Sequence, residues 1–158
     1  MKKTRVLFVC LGNICRSPLA EALLQDKIRK HNLEHLLEAD SAGTADYHIG
    51  EGPDRRTLTN AAKHQIRISH QGRQLQTEDF ESFDMLLVMD HSNLKNSLQL
   101  AMTETHRNKI QLLRNFDLEE NGEEVPDPWF GGEEGFEEVF NILDRCTDSL
   151  LHYLKNNL

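Results

Sequence analysis

Cys10 and Arg16 stand six positions apart near the start of the chain, and these two residue types can attack and hold a phosphate group. A cysteine thiolate is a nucleophile, and a guanidinium is a planar fork that matches two phosphate oxygens. The residues between and just after them are Leu11, Gly12, Asn13, Ile14, Cys15 and Ser17. Together they predict a short phosphate-binding loop.

Backbone N–H groups can converge in such a loop, and the dipole of a following helix adds partial positive charge. Gly12 lets the chain turn without a Cβ clash, and Asn13 tolerates left-handed dihedrals. We therefore expect Cys10 to be a nucleophilic thiolate that receives a hydrogen bond from Ser17. The loop lacks the Gly-Lys-Ser/Thr ending of a nucleotide P-loop, which argues against ATP or GTP binding. The alternative is a buried cysteine and a surface arginine that are neighbours by chance.

The elements that must position this loop alternate between strands and helices. Apolar runs predict buried strands at residues 5–9, 84–89 and 110–113, and a shorter strand is predicted at 38–42. This alternation predicts an α/β fold with a parallel sheet. Because right-handed crossovers place the carboxyl ends of the strands at one edge, the loop is expected at the edge where ligands usually bind.

The first predicted helix follows the loop, with Ser17 as its N-cap and Pro18 as its first residue. A second helix is predicted from Asp54 to about Gln65, and a third begins at Asp90. The last helix is amphipathic because its apolar residues recur at steps of three and four, namely Phe136, Val139, Phe140, Leu143, Cys146, Leu150 and Leu154.

The length and the charge of the chain limit its function. A chain of 158 residues suggests one domain over residues 1–158. It carries 18 Lys and Arg against 26 Asp and Glu, a net charge of −8, which argues against binding to nucleic acid or anionic membranes. The charge is uneven, since residues 1–30 hold seven basic and two acidic residues, and residues 116–148 hold one basic and twelve acidic.

The apolar runs and the number of cysteines indicate in which cellular compartment the protein is expected. No apolar run approaches the roughly 18 residues of a membrane helix, and the basic start is not followed by a signal-peptide cleavage site. Three cysteines do not suit a secreted disulfide framework. A cytoplasmic protein is therefore expected.

The segment from Val9 to Pro18 closely resembles the low-molecular-weight protein tyrosine phosphatases. The likeness continues in order along nearly the whole chain, at residues 40–44, 52–56, 70–74, 89–90 and 125–128. It implies a four-stranded parallel sheet flanked by helices on both faces. It also implies hydrolysis of phosphotyrosine in proteins or peptides, with no metal or other cofactor. The oligomeric state stays open.

The resemblance implies a role for three residues. Cys10 is the nucleophile, Arg16 clamps the phosphate, and Asp127 is the general acid and then the general base. The chemistry needs such an acid, because an alkoxide or phenoxide leaves poorly unless it is protonated. Pro126 and Pro128 stiffen the backbone around Asp127. The loop amides and Arg16 would stabilise the transferring phosphoryl group without a metal.

The same resemblance places Asn13, Ser41 and His70 in a network that holds the loop in shape. From the residues alone, an ordinary surface histidine is the favoured interpretation of His70, and the resemblance reverses it. Asp90 has two open interpretations, because it either caps the following helix or lies at the edge of the site.

Three aromatic residues, Tyr47, Trp129 and Phe130, are candidates for the wall of a pocket that selects phosphotyrosine. The alternative for them is core packing. Many relatives carry two tyrosines after Asp-Pro, so regulation by phosphorylation of those tyrosines does not carry over to Trp129 and Phe130.

Two residues inside the loop carry separate expectations. Related phosphatases acting on phosphoarginine have threonine where this chain has Ile14, so Ile14 favours phosphotyrosine. Cys15 either forms a reversible disulfide with Cys10 that shields it from over-oxidation, or simply fills space under the loop. Cys146 is expected in the core.

The sequence argues against three competing functions. Thioredoxin-coupled arsenate reductases need two further cysteines, and none lies between Cys15 and Cys146. Residues 31–35 spell His-x-x-Glu-His, an inverted zinc-peptidase pattern, but the cations beside it fit the end of a helix. A phosphate-binding module without catalysis is disfavoured, because all three catalytic residue types are present.

Overall fold

A four-stranded parallel sheet forms the centre of the computed structural model, which describes residues 2–158 except for the side chain of Phe130. Its strands are β1 (Thr4–Cys10), β2 (Leu37–Gly43), β3 (Met85–Val88) and β4 (Ile110–Leu112), in the spatial order β2-β1-β3-β4. The central strand β1 is buried on both faces, which explains its continuous apolar sequence.

Helices cover both faces of the sheet. They are α1 (Arg16–Lys30), α2 (Arg55–Lys63), α3 (Asp79–Ser82), α4 (His91–Leu100), α5 (Glu104–Asn108) and α6 (Glu133–Asn156), with 3₁₀ turns at Leu113–Phe116 and Pro128–Phe130. Val6 and Phe8 of β1 pack into one core cluster with α1 and α6. Leu7 and Val9 point to the opposite cluster, with α3 and α4. The predicted fold class is therefore confirmed.

The register brings the strand ends to one edge. Cys10, the last residue of β1, lies opposite Gly43, the last residue of β2. On the other side Val9 pairs with Val88, the last residue of β3, so that Asp90 follows at the same edge. The sheet thus places a cysteine and a carboxylate from different strands beside each other.

The predicted start of α1 is wrong. Ser17 is the second residue of this helix and Pro18 the third, while Cys15 occupies the N-cap position without a side-chain cap. Ser17 does not cap because its hydroxyl is engaged by the loop, as described below. The helix predicted to reach Gln65 ends at Lys63, and Gln65 itself has a left-handed φ of 63°.

None of the helices within residues 2–158 is long and apolar enough to cross a membrane.

Candidate active site

The loop between β1 and α1 wraps around the thiol of Cys10. Asn13 has a φ of 58°, a left-handed conformation that turns the chain back on itself. Its N–H then faces Sγ of Cys10 at 3.3 Å, and Oγ of Ser17 lies 2.9 Å from the same sulfur. Gly43 leaves room for this turn, since a Cβ there would stand 2.7 Å from the carbonyl oxygen of Leu11.

The side chain of Asn13 satisfies all four of its hydrogen-bonding positions. Its Nδ2 donates to Oγ of Ser17 at 2.8 Å and to Oγ of Ser41 at 3.0 Å. Its Oδ1 accepts from Nε2 of His70 at 2.7 Å and from the backbone N–H of Arg73 at 3.0 Å. An amide has two donor hydrogens and two acceptor lone pairs, so no other side chain of this size fits the position.

Glu21 on α1 sets the direction of this chain of hydrogen bonds. Ser41 donates its hydroxyl proton to Oε1 of Glu21 at 2.6 Å, so it can only accept from Asn13. Ser17 likewise accepts from Asn13, which leaves its own proton free to point at Cys10. The network therefore presents a hydrogen-bond donor to the sulfur, as a thiolate requires.

His70 lies inside the network. Its Nδ1 is 3.1 Å from Glu21, its Nε2 is bonded to Asn13, and its side chain is only 8% exposed. Donor atoms of Glu21, Asp40 and His70 all lie within 4.8 Å of one another, a spacing that could hold a metal ion. His70 bonds to Asn13 of the loop, and Glu21 bonds to Ser41 and His70, so both side chains already take part in the hydrogen-bond network around the loop.

Arg16 is almost completely buried, and its partners fix its guanidinium in place. Nη1 donates to Oδ2 of Asp90 at 2.8 Å and to the carbonyl oxygen of Val125 at 2.9 Å. Nη2 lies 3.9 Å from Oδ2 of Asp127. Burial would lower the pKa of Arg16, but the charge of Cys10 and the bond to Asp90 outweigh it and raise that pKa above its usual value.

Asp90 therefore has both of the roles left open by its sequence position. Its Oδ1 accepts from the N–H of Asn93 at 2.8 Å and caps α4, while its Oδ2 receives Arg16. One carboxylate thus connects the start of a helix to the buried Arg16.

Asp127 occupies the N-cap of the 3₁₀ turn that begins at Pro128. Its Oδ1 accepts from the N–H of Trp129 at 3.0 Å, and its side chain is 45% exposed. On the far side, Arg56 donates to the carbonyl oxygen of Trp129 at 3.1 Å and lies 5.0 Å from the centre of its ring. The turn therefore holds a solvent-accessible carboxylate at a defined place.

A pocket of about 220 Å³ lies between the loop, Arg16 and the turn that carries Asp127. It is lined by Cys10, Leu11, Gly12, Ile14, Cys15, Arg16, Tyr47, His48, Asp127 and Trp129. Tyr47 and Trp129 stand at its rim, 69% and 43% exposed, and the side chain of Phe130 lies outside the described residues. The aromatic wall is thus open to solvent.

Ile14 and Cys15 connect the loop to α6. Both are buried and form a small cluster with Phe136 near the start of that helix. Burial raises the pKa of the Cys15 thiol to about 12, so it is a neutral thiol at physiological pH. As a free thiol this cysteine fills space under the loop, and its other interpretation, a disulfide with Cys10, stays a prediction.

Sequence reasoning missed Glu21, His48 and the carbonyl of Val125. Glu21 lies four residues after Ser17, and this helical spacing puts both on one face, which was an available signal. No sequence signal marks the carbonyl of Val125 or the imidazole of His48. The His-x-x-Glu-His pattern begins at the C-cap of α1, His31, and continues into a turn, so it does not form one helical face.

Comparison with known proteins gives close relatives over nearly the whole chain. Residues 5–158 match the family described as low molecular weight phosphotyrosine protein phosphatase. A low molecular weight protein-tyrosine-phosphatase of Streptomyces coelicolor is 43% identical over 149 residues, which cover 93% of this chain and 91% of that protein.

Solved structures agree. The crystal structure of a protein tyrosine phosphatase from Entamoeba histolytica has a TM-score of 0.94 and 36% identity, covering 98% of this chain and 99% of the other. A structure named as a drosophila arginine phosphatase has a TM-score of 0.86 and 35% identity, covering 94% of this chain and 96% of the other.

Proposed function

The chain belongs to the low molecular weight phosphotyrosine protein phosphatase family and is a protein-tyrosine-phosphatase, and we propose that it hydrolyses phosphotyrosine through a phosphocysteine intermediate on Cys10. One observation carries the proposal: Cys10, the buried Arg16 and Asp127 line the same pocket. A nucleophile, a phosphate clamp and a proton donor thus stand around one space.

In the first step the sulfur of Cys10 attacks phosphorus, and the bond from phosphorus to the tyrosine oxygen breaks. The N–H groups of Gly12 and Ile14 make no hydrogen bond within residues 2–158, so they are available to the phosphate oxygens. The guanidinium of Arg16 also donates to the phosphate, and its bonds to Asp90 and to the carbonyl oxygen of Val125 fix its orientation. Preorganised donors of this kind stabilise charge without reorganising during the reaction.

Asp127 gives its proton to the tyrosine oxygen as that oxygen leaves. Its carboxylate then takes a proton from water, whose oxygen attacks phosphorus and displaces the sulfur of Cys10. Ser17 stabilises the departing thiolate, because its hydroxyl lies 2.9 Å from the sulfur and is oriented by Asn13. The cycle returns inorganic phosphate and the free enzyme.

Phosphotyrosine is the preferred substrate because Tyr47 and Trp129 border the pocket and can contact an aromatic ring. Ile14 also lines the pocket and presents no hydroxyl there. Phosphoarginine is the second candidate, since one structural relative is named as an arginine phosphatase. A phosphotyrosine peptide and its phosphoarginine counterpart, assayed side by side, compare the two substrates directly.

The mechanism is tested by hydrolysis of p-nitrophenyl phosphate and the phosphotyrosine peptide in the presence of EDTA. Cys10→Ser should abolish turnover, and Asp127→Ala should lower kcat by about 10²–10⁴-fold, as expected for a lost general acid and base, with the larger loss on the phosphotyrosine peptide, whose leaving group needs protonation more. Matched controls are Cys146→Ala in the core and Glu123→Ala, an exposed acid on the segment that leads to Asp127. Both controls should keep wild-type kcat, and full activity of Cys10→Ser would refute the mechanism.

A further inference from the structure

The segment that carries Asp127 has no regular secondary structure from Asp117 to the 3₁₀ turn at Pro128, yet one peptide unit within it is held at both edges. The carbonyl oxygen of Glu124 and the N–H of Val125 belong to the same planar peptide. The N–H of Val125 donates to the carbonyl oxygen of Met89 at 2.8 Å, just beyond β3. The next carbonyl, that of Val125, receives Arg16.

Arg114 holds the other edge of that peptide. It lies in the 3₁₀ turn after β4, only 4% exposed, and its Nη1 donates to the carbonyl oxygen of Glu124 at 2.7 Å. Its Nε donates to Oδ2 of Asp117 at 2.9 Å, and its Nη2 donates to Oε2 of Glu120 at 2.8 Å. One guanidinium thus spans the segment from its first residue to the peptide beside Val125.

We propose that Arg114 is a positioning residue for the general acid, acting through the peptide between Glu124 and Val125. This inference rests on the proposed function, in which Asp127 protonates the leaving group. With Arg114 in place the peptide plane has one orientation, so Val125 meets Arg16 and Asp127 follows two residues later at the pocket. Without it, the peptide itself keeps only the bond to Met89, and its orientation is then restricted only by the neighbouring contacts of Glu124 with the N–H of His91 and of Val125 with Arg16.

Arg145 on α6 offers a matched control. Its Nε and Nη2 donate to the same carboxylate of Asp117, at 3.0 and 3.1 Å. Among the described residues its guanidinium also pairs with Glu119 but reaches no backbone group of Glu124 or Val125. A variant at this position therefore perturbs the buried charge cluster without releasing the peptide.

The experiment compares two substrates that differ in their need for an acid. Phenyl phosphate has a poor leaving group and depends on protonation, whereas p-nitrophenyl phosphate depends on it much less. Arg114→Gln should lower kcat/KM for phenyl phosphate about tenfold more than for p-nitrophenyl phosphate. A catalytic group that is misplaced by about 1 Å can lower the rate by about 10²-fold, and a tenfold loss lies within that range. Arg145→Gln should leave the ratio of the two substrates at the wild-type value.

Thermal unfolding of each variant separates positioning from loss of fold. Arg114→Lys keeps the positive charge beside Asp117 but cannot make all three bonds, and it should shift the substrate ratio in the same direction by a smaller factor. In an Asp127→Ala background, Arg114→Gln should change the ratio no further, because the acid it positions is gone.

Two results would overturn the proposal. One is an Arg114→Gln or Arg114→Lys enzyme that loses activity equally on both substrates, and the other is an equal shift of the ratio in Arg145→Gln. If Asp127→Ala alone leaves the substrate ratio unchanged, the proposed general acid is wrong. That failure is distinct from a failure of Arg114 to position the acid.

Discussion

Asp90 both caps α4 and bonds to Arg16, the proposed phosphate clamp, and substitutions at this position can separate the two contacts. Its Oδ1 accepts from Asn93 at the start of α4 and its Oδ2 accepts from Arg16. Serine is as good an N-cap as aspartate but is too short to serve both partners. Asp90→Ser should therefore keep the cap and lose the bond to Arg16, whereas Asp90→Ala should lose both.

The magnitudes follow from these two bonds. A hydrogen bond to a charged group contributes about 1.5–3 kcal/mol. If that energy holds Arg16 in its productive orientation, both variants should lose about tenfold to hundredfold in kcat/KM, at about 1.4 kcal/mol for each factor of ten. Asp90→Ala should in addition be less stable than Asp90→Ser by about 1 kcal/mol, the usual value of an N-cap.

Kinetics with p-nitrophenyl phosphate and urea unfolding measure the two effects. Thr103→Ala is the matched control, because Thr103 caps α5 through a 3.1 Å bond from His106 and does not contact Arg16. It should lose stability and keep wild-type kinetics. An Asp90→Ser enzyme with wild-type kcat/KM would refute the role of Asp90 in holding Arg16.

Two further predictions concern acid stability and oxidation. Burial would raise the pKa of Asp117, but hydrogen bonds led by that from Arg145 hold it well below its usual value. Its stabilisation is therefore present above the usual aspartate pKa and is lost as the pH falls through the lowered value. Asp117→Asn should cost about 3–5 kcal/mol at neutral pH and flatten the fall of Tm below about pH 4, and parallel Tm profiles would contradict this. For Cys15, peroxide should oxidise Cys10 to a sulfenic acid that condenses with the neutral Cys15 thiol, releasing water. In Cys15→Ala, excess peroxide should carry the sulfenic acid on to the sulfinic acid, so dithiothreitol should restore the wild type but not this variant, and equal recovery of both would argue against the disulfide.

The features that can be predicted from the sequence are those determined by residues that are close together in the chain. The apolar run of β1, the turn residues of the loop and the acid that caps α4 are each encoded within a few neighbouring residues. Residues of the last helix predicted as apolar are buried along one face, from Phe136 to Leu154. Short elements such as α3 and α5, of four and five residues, have too few periodic positions to produce a pattern.

Contacts between distant segments could not be predicted in this way. Ser17 is a good cap by type, but Asn13 and Cys10 engage its hydroxyl, so the helix begins without it. His70 looks like a surface residue until Asn13 is seen to be its partner, 57 positions away. The residues alone favour Asp127 only weakly among the twelve acids of residues 116–148, because its proposed role depends on a pocket formed by β1 and a segment more than a hundred residues later.

The acidic charge of the chain is compatible with the proposed phosphate substrate, because several of its carboxylates are already paired with cations. Asp117 is enclosed by two arginines, and Asp144 and Asp148 both lie within 3.4 Å of Lys27 on α1. Paired charges contribute little field at a distance, particularly beyond the Debye length of about 8 Å at physiological salt. Among the residues that line the pocket, Arg16 is the one arginine or lysine, and the carboxylate beside it, that of Asp127, is the proposed general acid. In the proposed function, local geometry therefore decides phosphate binding, and the net charge of −8 does not oppose it.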